Sequence, residues 1–279
     1  MTNPAPAPIP RFGRWQARQG ALARLGAVGR LYANLVGYTQ IGGYGRSLLF
    51  RRLLDDLSPA PRSILDAGCG TGDFALYLAE RYPQATVVAA DSDEAAIQTL
   101  RQTQATAEID NLRPVVRRHE DTPPGNNNLI ICIDALQYVP DKLAVLERFA
   151  AALATGGVLI LRMPRPVQRR LFPAHWFVGH EIEERWRLDA AIAPYDRAEL
   201  RHDLEALRLR VEKLLFTTGW WGRLAFELSY LIATRSRIAF ALAVPALKFC
   251  AWLDTLGRPK RDGDGLLTLA VKTEADDSP

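Results

Sequence analysis

Residues 63–74 read SILDAGCGTGDF. An apolar run ends on Asp66, and Gly68, Gly70 and Gly72 then alternate with other residues before a helical pattern begins at Asp73. Glycine is costly to order, so this alternation implies a backbone that bends through left-handed conformations or passes close to a neighbour. A strand that feeds such a turn into a helix presents the helix's first N–H groups to a ligand. The spacing is not G-x-G-x-x-G, because the third glycine falls one residue early and position 73 is an aspartate. Farther on, Asp91 closes the run VVAAD. A carboxylate at a strand's end offers two oxygens to a pair of sugar hydroxyls without moving.

Acid–base chemistry at neutral pH favours histidine, and the chain has four. His119 lies in a loop after a third strand pattern, and His202 sits in a helical pattern on its polar face. His175 and His180 lie in LFPAHWFVGHEIEERW, behind a fifth strand pattern, where an open parallel sheet puts its substrate-facing loops. His180 is the first candidate for a base or acceptor-orienting group, and His175 for the acceptor pocket; a loop histidine that only supports structure is the alternative for both. Tyr138, at the mouth of the fourth strand, is a second candidate for the acceptor pocket, with plain packing as its alternative.

The elements that must position these residues follow from periodicity. RSILDA, TVVAA, PVVRR, LIICI and GGVLILR read as buried strands, and DFALYLAERY, EAAIQTLRQTQA and KLAVLERFAAAL as amphipathic helices between them. Short apolar runs alternating with helical ones specify a parallel sheet covered on both faces. DRAELRHDLEAL restarts a helix with Asp196 and Glu199 spaced as a capping box. LRVEKLLF and GLLTLAVK supply two more strands. Ahead of the sheet, residues 15–57 form short cap helices broken at VGYTQIGGYG.

The acid-x-Gly-x-Gly-x-Gly turn resembles the first motif of the class I S-adenosylmethionine-dependent methyltransferases. VVAADSD, NNLIICIDALQYV and LATGGVLILRMP are similar to that family's second, fourth and fifth strands, so the resemblance covers residues 60–165 and, loosely, the last strand. It implies a Rossmann-like, seven-stranded, mostly parallel α/β sheet with a reversed last strand. It implies S-adenosylmethionine as cofactor, held by Asp66, Gly68, Gly70, Gly72, Asp91 and Ser92. Asp134, in the turn after the fourth strand, joins that set. Either Glu120 or Asp121 stands where relatives keep an acid near the adenine, and Asp121 is carried forward. The chain departs from the family at Asn127-Asn128, in place of Phe-Asp, and at Gln137-Tyr138, in place of Glu-His.

The expected activity is methyl transfer to a small or lipid-like acceptor, on oxygen in preference to nitrogen or carbon, with an anionic acceptor a natural addition. A cofactor-binding scaffold or partner subunit that no longer transfers methyl groups is the alternative. Three scattered cysteines give neither a disulfide framework nor a metal-ligand spacing, and no metal is expected. The start of the chain does not read as a secretory signal, which makes a cytoplasmic protein the expectation, with a peripheral place at the membrane's inner face as its extension. Residues 1–54 hold eight arginines and no acid, although the whole chain carries only +4. A nucleic-acid partner is not expected, because the arm lacks interleaved recognition motifs.

The stretch at 217–262 is a strongly apolar helical insertion before the last strand. It could be a lid on the acceptor pocket, a membrane contact or a dimer interface. The chain thus divides into a basic arm with cap helices (1–57), a core (58–216), the insertion (217–262), and a last strand with its tail (263–279).

Overall fold

The computed structural model describes residues 12–13, 15, 26–37, 39–165, 170–177, 195–256 and 262–274. Seven strands form one sheet: β1 (Ser63–Ala67), β2 (Thr86–Asp91), β3 (Leu112–Val116), β4 (Asn127–Ile133), β5 (Leu153–Pro164), β6 (Leu209–Thr217) and β7 (Gly265–Lys272). Their order across the sheet is β3-β2-β1-β4-β5-β7-β6. The pairs from β3 to β5 are parallel, and β7 runs antiparallel to both β5 and β6. The fold is Rossmann-like α/β, with a last strand reversed.

Period-two alternation divides each central strand between two cores. Leu65, Ala67, Ile130, Cys132, Leu159 and Leu161 point to one side of the sheet. Ile64, Leu129, Ile131 and Ile160 point to the other. Because both faces are covered, β1 reads as an unbroken buried run, not an alternating one.

The first face is closed by α5 (Lys142–Ala152) and α6 (Arg197–Ala206), through Phe149, Leu146, Leu200 and Leu204. The second is closed by α2 (Ile41–Asp55), α3 (Asp73–Arg81) and α4 (Glu94–Ala107), through Phe50, Leu54, Leu76 and Leu100. Each such side chain contributes about 1.5–3 kcal/mol by leaving water. Asp93 caps α4 by accepting from the N–H groups of Ala95 and Ala96, and Asp196 with Glu199 forms the capping box of α6.

The cap region differs from the sequence reading at one place. The break expected across VGYTQIGGYG is confined to Gly37–Gln40, and the glycines that follow lie inside α2. The reason is close packing: a Cβ on Gly42 would come within 2.9 Å of the Phe226 ring. The missing side chain lets α2 lie against the insertion, and that contact outweighs glycine's poor helix propensity. The insertion itself is a helical hairpin, α7 (Trp220–Arg235) and α8 (Arg237–Leu253), packed on α2 with α1 (Gly26–Val36) beside it. No helix among the described residues is long and apolar enough to cross a membrane.

Candidate active site

The site is built at the carboxyl ends of β1, β2, β4 and β5. Behind β1 the chain turns through three left-handed residues, Gly68, Gly70 and Gly72. A Cβ on Gly68 would lie 2.2 Å from Ala135 Cβ, and one on Gly72 would lie 2.2 Å from Leu100 Cδ1. Both positions therefore exclude any side chain sterically as well as by φ. A Cβ on Gly70 would meet nothing within 4 Å, so the middle of the turn borders open space. The Gly68 and Cys69 N–H groups donate to Ala90 O, which ties the turn to the end of β2.

Asp91 completes that tie. Its Oδ2 accepts from Gly70 N–H at 2.7 Å and its Oδ1 from Asp93 N–H at 2.9 Å. A carboxylate has about four acceptor positions, so half of its capacity is left for a ligand beside the turn. Ser92 follows on the surface. Asp66 is buried at 2% exposure, and its Oδ2 has no hydrogen-bond partner among the described residues. Burial pushes its carboxyl up to about 8, with further repulsion from Asp91 and Asp73, against a stabilising bond from the Ala75 backbone. A protonated acid deep beside an open turn is poised to ionise when a cation arrives.

The loop after β3 brings a histidine to the site. Residues His119–Asp121 form a single helical turn whose bend leaves Asp121 exposed and turns His119 inward. His119 Cε1 lies 2.9 Å from the place a Gly68 Cβ would take, and its ring meets Phe149 edge-on at 6.3 Å. Burial lowers the His119 pKa, which keeps the imidazole neutral. His119 is thus a side chain that this loop brings to the glycine turn, while Asp121 is exposed beside it. Glu120 instead pairs with Arg118.

Asp134 sits at the end of β4 with φ at +56°, a conformation that side chains other than glycine's rarely hold. The surroundings fix it there: its N–H donates to Arg162 O at 2.8 Å, and its carbonyl accepts from Gln137 Nε2 at 2.9 Å. Its carboxylate takes Arg46 from α2 at 3.1 Å and Arg162 from β5 in a second, close pair. Strain held by so many contacts is a mark of functional sites.

Arg162 is the most informative residue that the sequence reading passed over. It stands among Leu161 and Met163 in a buried strand, is 7% exposed, and has no partner for its Nε among the described residues. Buried Thr217 Oγ1 likewise has none. The two side chains line a cavity of about 70 Å³ with Arg46, Gly42, Gly222 and Asp264. Room of that size holds on the order of five waters, or a compact polar group.

The walls of this cavity are pinned by buried charge. Arg223 of α7 donates to both Asp264 oxygens, at 2.9 and 2.6 Å, and locks the insertion to the approach of β7. Glu227, one turn on, accepts from the N–H groups of Leu171 and Phe172 and seats the segment after β5 on the same helix. His175, on that segment, is exposed, and so is Tyr138 at 54%. His180 lies outside the described residues. Among the described residues there is no cluster of side chains fit to hold a metal ion.

Two compartments thus share one wall. Ala135 packs on Gly68 on the glycine-turn side, and its neighbour Asp134 holds Arg162 on the cavity side. The open turn, the unpartnered Asp66 oxygen and the half-used Asp91 carboxylate fit a nucleoside that bears positive charge, as S-adenosylmethionine does.

Comparison with known proteins agrees with this geometry. A family model described as a methyltransferase domain matches residues 44–214. A trans-aconitate 2-methyltransferase of Azoarcus sp. (strain BH72) is 33% identical over 177 residues, covering 62% of this chain and 65% of that one. The chain spans 48% and 40% of the length of two further trans-aconitate 2-methyltransferases that it matches. By fold, it is similar to phosphoethanolamine N-methyltransferase 2 of Haemonchus contortus, solved with S-adenosylhomocysteine, at a TM-score of 0.60 and 15% identity over 95% of this chain and 61% of that one. A geranyl diphosphate C-methyltransferase of Streptomyces coelicolor A3(2) gives 0.52 and 18% identity over 82% and 79%. Family match, sheet order and glycine turn together make this chain a member of the class I S-adenosylmethionine-dependent methyltransferases.

Proposed function

We propose that this chain transfers a methyl group from S-adenosylmethionine to a carboxylate oxygen of a small acceptor, whose anionic group enters the cavity at Arg162 and Thr217. The observation that carries the proposal is the shared wall: the turn suited to the nucleoside and the cavity with unused buried donors meet at Asp134–Ala135. The trans-aconitate 2-methyltransferases that resemble this chain support an acceptor of that class.

When bound, S-adenosylmethionine supplies a methyl group on a cationic sulfur that departs as a neutral thioether. In this reading Asp91 accepts from the ribose hydroxyls, the glycine turn gives the backbone its close approach, and Asp66 faces the positive end. His119 borders the same crevice as a neutral ring. Asp134 orients Arg162 and Arg46, and the free Nε of Arg162 with the Thr217 hydroxyl orients the acceptor's oxygens. Charge-assisted bonds of this kind are the strong ones, and they satisfy donors whose burial is otherwise costly.

A carboxylate is already ionised at neutral pH, since its ordinary pKa is about 4. The residues around it must bind, orient and desolvate it, but they need move no proton. That removes the need for a Glu-His pair after β4, where this chain has Gln137 and Tyr138, and for a base at His175 or His180. A lipid-like carboxylate is a second reading, favoured by the apolar helices of the insertion, which form part of the cavity wall.

The test is transfer of labelled methyl across a panel of di- and tricarboxylates, fatty acids, phenols and amines. The proposal expects product from carboxylates alone, released by mild base as methanol because it is an ester. Base-stable label on an amine or carbon would refute the carboxylate assignment. Cofactor binding without turnover on any acceptor class would point to the scaffold.

A further inference from the structure

The helix α8 is apolar on two opposite faces. Val244, Leu247 and Ala251 pack inward with Ile41 and Ala225. On the opposite side, Ile238, Leu242, Pro245, Phe249 and Trp252 follow one another at intervals of four and three residues and form a single outward stripe. Ile238 and Leu242 are 76% and 78% exposed, and every exposed residue of the helix apart from Arg237 is apolar. From Ile238 to Trp252 the stripe runs along roughly 21 Å. α1 lies alongside, tied by Tyr32 Oη to Ala241 O at 2.6 Å and by Lys248 Nζ to Val36 O at 2.5 Å, and it exposes Val28, Leu31 and Leu35.

A face of this extent with no partner among the described residues marks an interaction surface, and two features identify the partner. The first is aromatic. Antiparallel pairing brings the start of α7 to the end of α8, where Gly219 N–H donates to Asp254 at 2.9 Å. Exposed Trp220 and Trp221 therefore gather at the same end as the stacked pair Phe249 and Trp252, and amphipathic rings of this kind suit the boundary between headgroups and acyl chains. The second is charge. α1 and α8 contain no acid, and the single acid of α7, Glu227, is buried. Arg235 and Arg237 are exposed at the head of α8. A second copy seated on this face would offer Arg235 and Arg237 no exposed acid from α1, α7 or α8.

We propose that the outer face of α8, with its aromatic end, docks on an anionic lipid bilayer and lies in the interface without crossing it. The inference does not depend on the identity of the acceptor. It does place the cavity residues Gly222 and Ala251 on α7 and α8, with Asp254 directly after α8, at the aromatic end.

Co-sedimentation with vesicles tests this. The full chain should bind phosphatidylcholine–phosphatidylglycerol vesicles at least ~10-fold more tightly than phosphatidylcholine alone, and the difference should shrink as salt is added. The double variant L242E/F249E should lose about 10-fold or more of that binding while keeping its circular dichroism and its affinity for S-adenosylhomocysteine. R235E/R237E should lose the preference for anionic vesicles in the same way. No binding of the unaltered chain at low salt, or equal binding by both variants, would overturn the proposal. So would a dimer in sedimentation velocity that L242E/F249E converts to monomer, which would assign the face to a second copy.

Discussion

The glycine turn and the acceptor cavity lie on either side of one wall, yet they are encoded in different ways. The turn is local: Asp66 to Gly72 is a continuous stretch, and the carboxylate that ties it, Asp91, closes the adjacent strand. The cavity is assembled from Arg46 on α2, Arg162 on β5, Thr217 on β6 and Asp264, held by Arg223 of α7, which only the finished fold brings together. Backbone shape makes the first site, and buried charge makes the second. The two should therefore fail differently when altered.

The largest effect should come from the turn. Gly68→Val puts a branched side chain where even a Cβ collides with Ala135 and where φ is left-handed. Overpacking and backbone strain together predict a loss of about 3 kcal/mol or more in stability, with no measurable cofactor binding, by thermal unfolding and calorimetry. Wild-type affinity in that variant would remove the steric account of the turn.

On the cavity side the pair Asp134–Arg162 should divide stability from specificity. Asp134→Asn leaves the buried Arg162 guanidinium without its counter-ion, takes the same partner from half-buried Arg46, and should cost about 3–5 kcal/mol. Arg162→Leu replaces the cation with an apolar side chain in an apolar strand, leaves Asp134 with Arg46, and should perturb folding far less. Its effect should appear in carboxylate turnover, as a fall of ~100-fold in kcat/KM with cofactor affinity unchanged. Equal destabilisation by the two changes would contradict the separation of roles.

How much of this was legible in the sequence follows from the same distinction. The strands could be read because burial on both faces demands unbroken apolar runs, as in Ile64–Leu65 and Leu129–Ile133. The turn was legible because three left-handed positions leave three glycines. His119 shares one short loop with Glu120 and Asp121, and only the bend at His119–Asp121 decides which side chain turns inward. Arg162 did leave a signal, a lone cation in VLILRMP, but its meaning rests on Asp134, twenty-eight residues earlier. Gly42 of α2 looked like a breaker because Phe226, far along the chain, supplies the reason for it.

A smaller effect follows from Asp66. Its folded pKa is raised to about 8, so the native state holds a proton that an unfolded aspartate, ordinarily near 4, gives up. Stability from this group is fully present below pH 4 and declines as pH rises towards 8, opposite in sign to a salt-bridged carboxylate. A cationic ligand should drive the proton off. Titration of S-adenosylmethionine between pH 6 and 8, in buffers of different ionisation enthalpy, should show proton release that Asp66→Asn abolishes. Affinity should rise with pH across that window in the unaltered chain and stay flat in the variant.

The central claim is that the carboxylate closing β2 grips the nucleoside which the glycine turn admits. Calorimetric binding of S-adenosylhomocysteine to Asp91→Ala tests it most directly, since the product has no sulfonium charge and reports on the nucleoside contacts. The account predicts a loss of at least ~10-fold in affinity, about 1.4 kcal/mol, in a variant that remains folded. Unchanged affinity in a folded Asp91→Ala protein would contradict it.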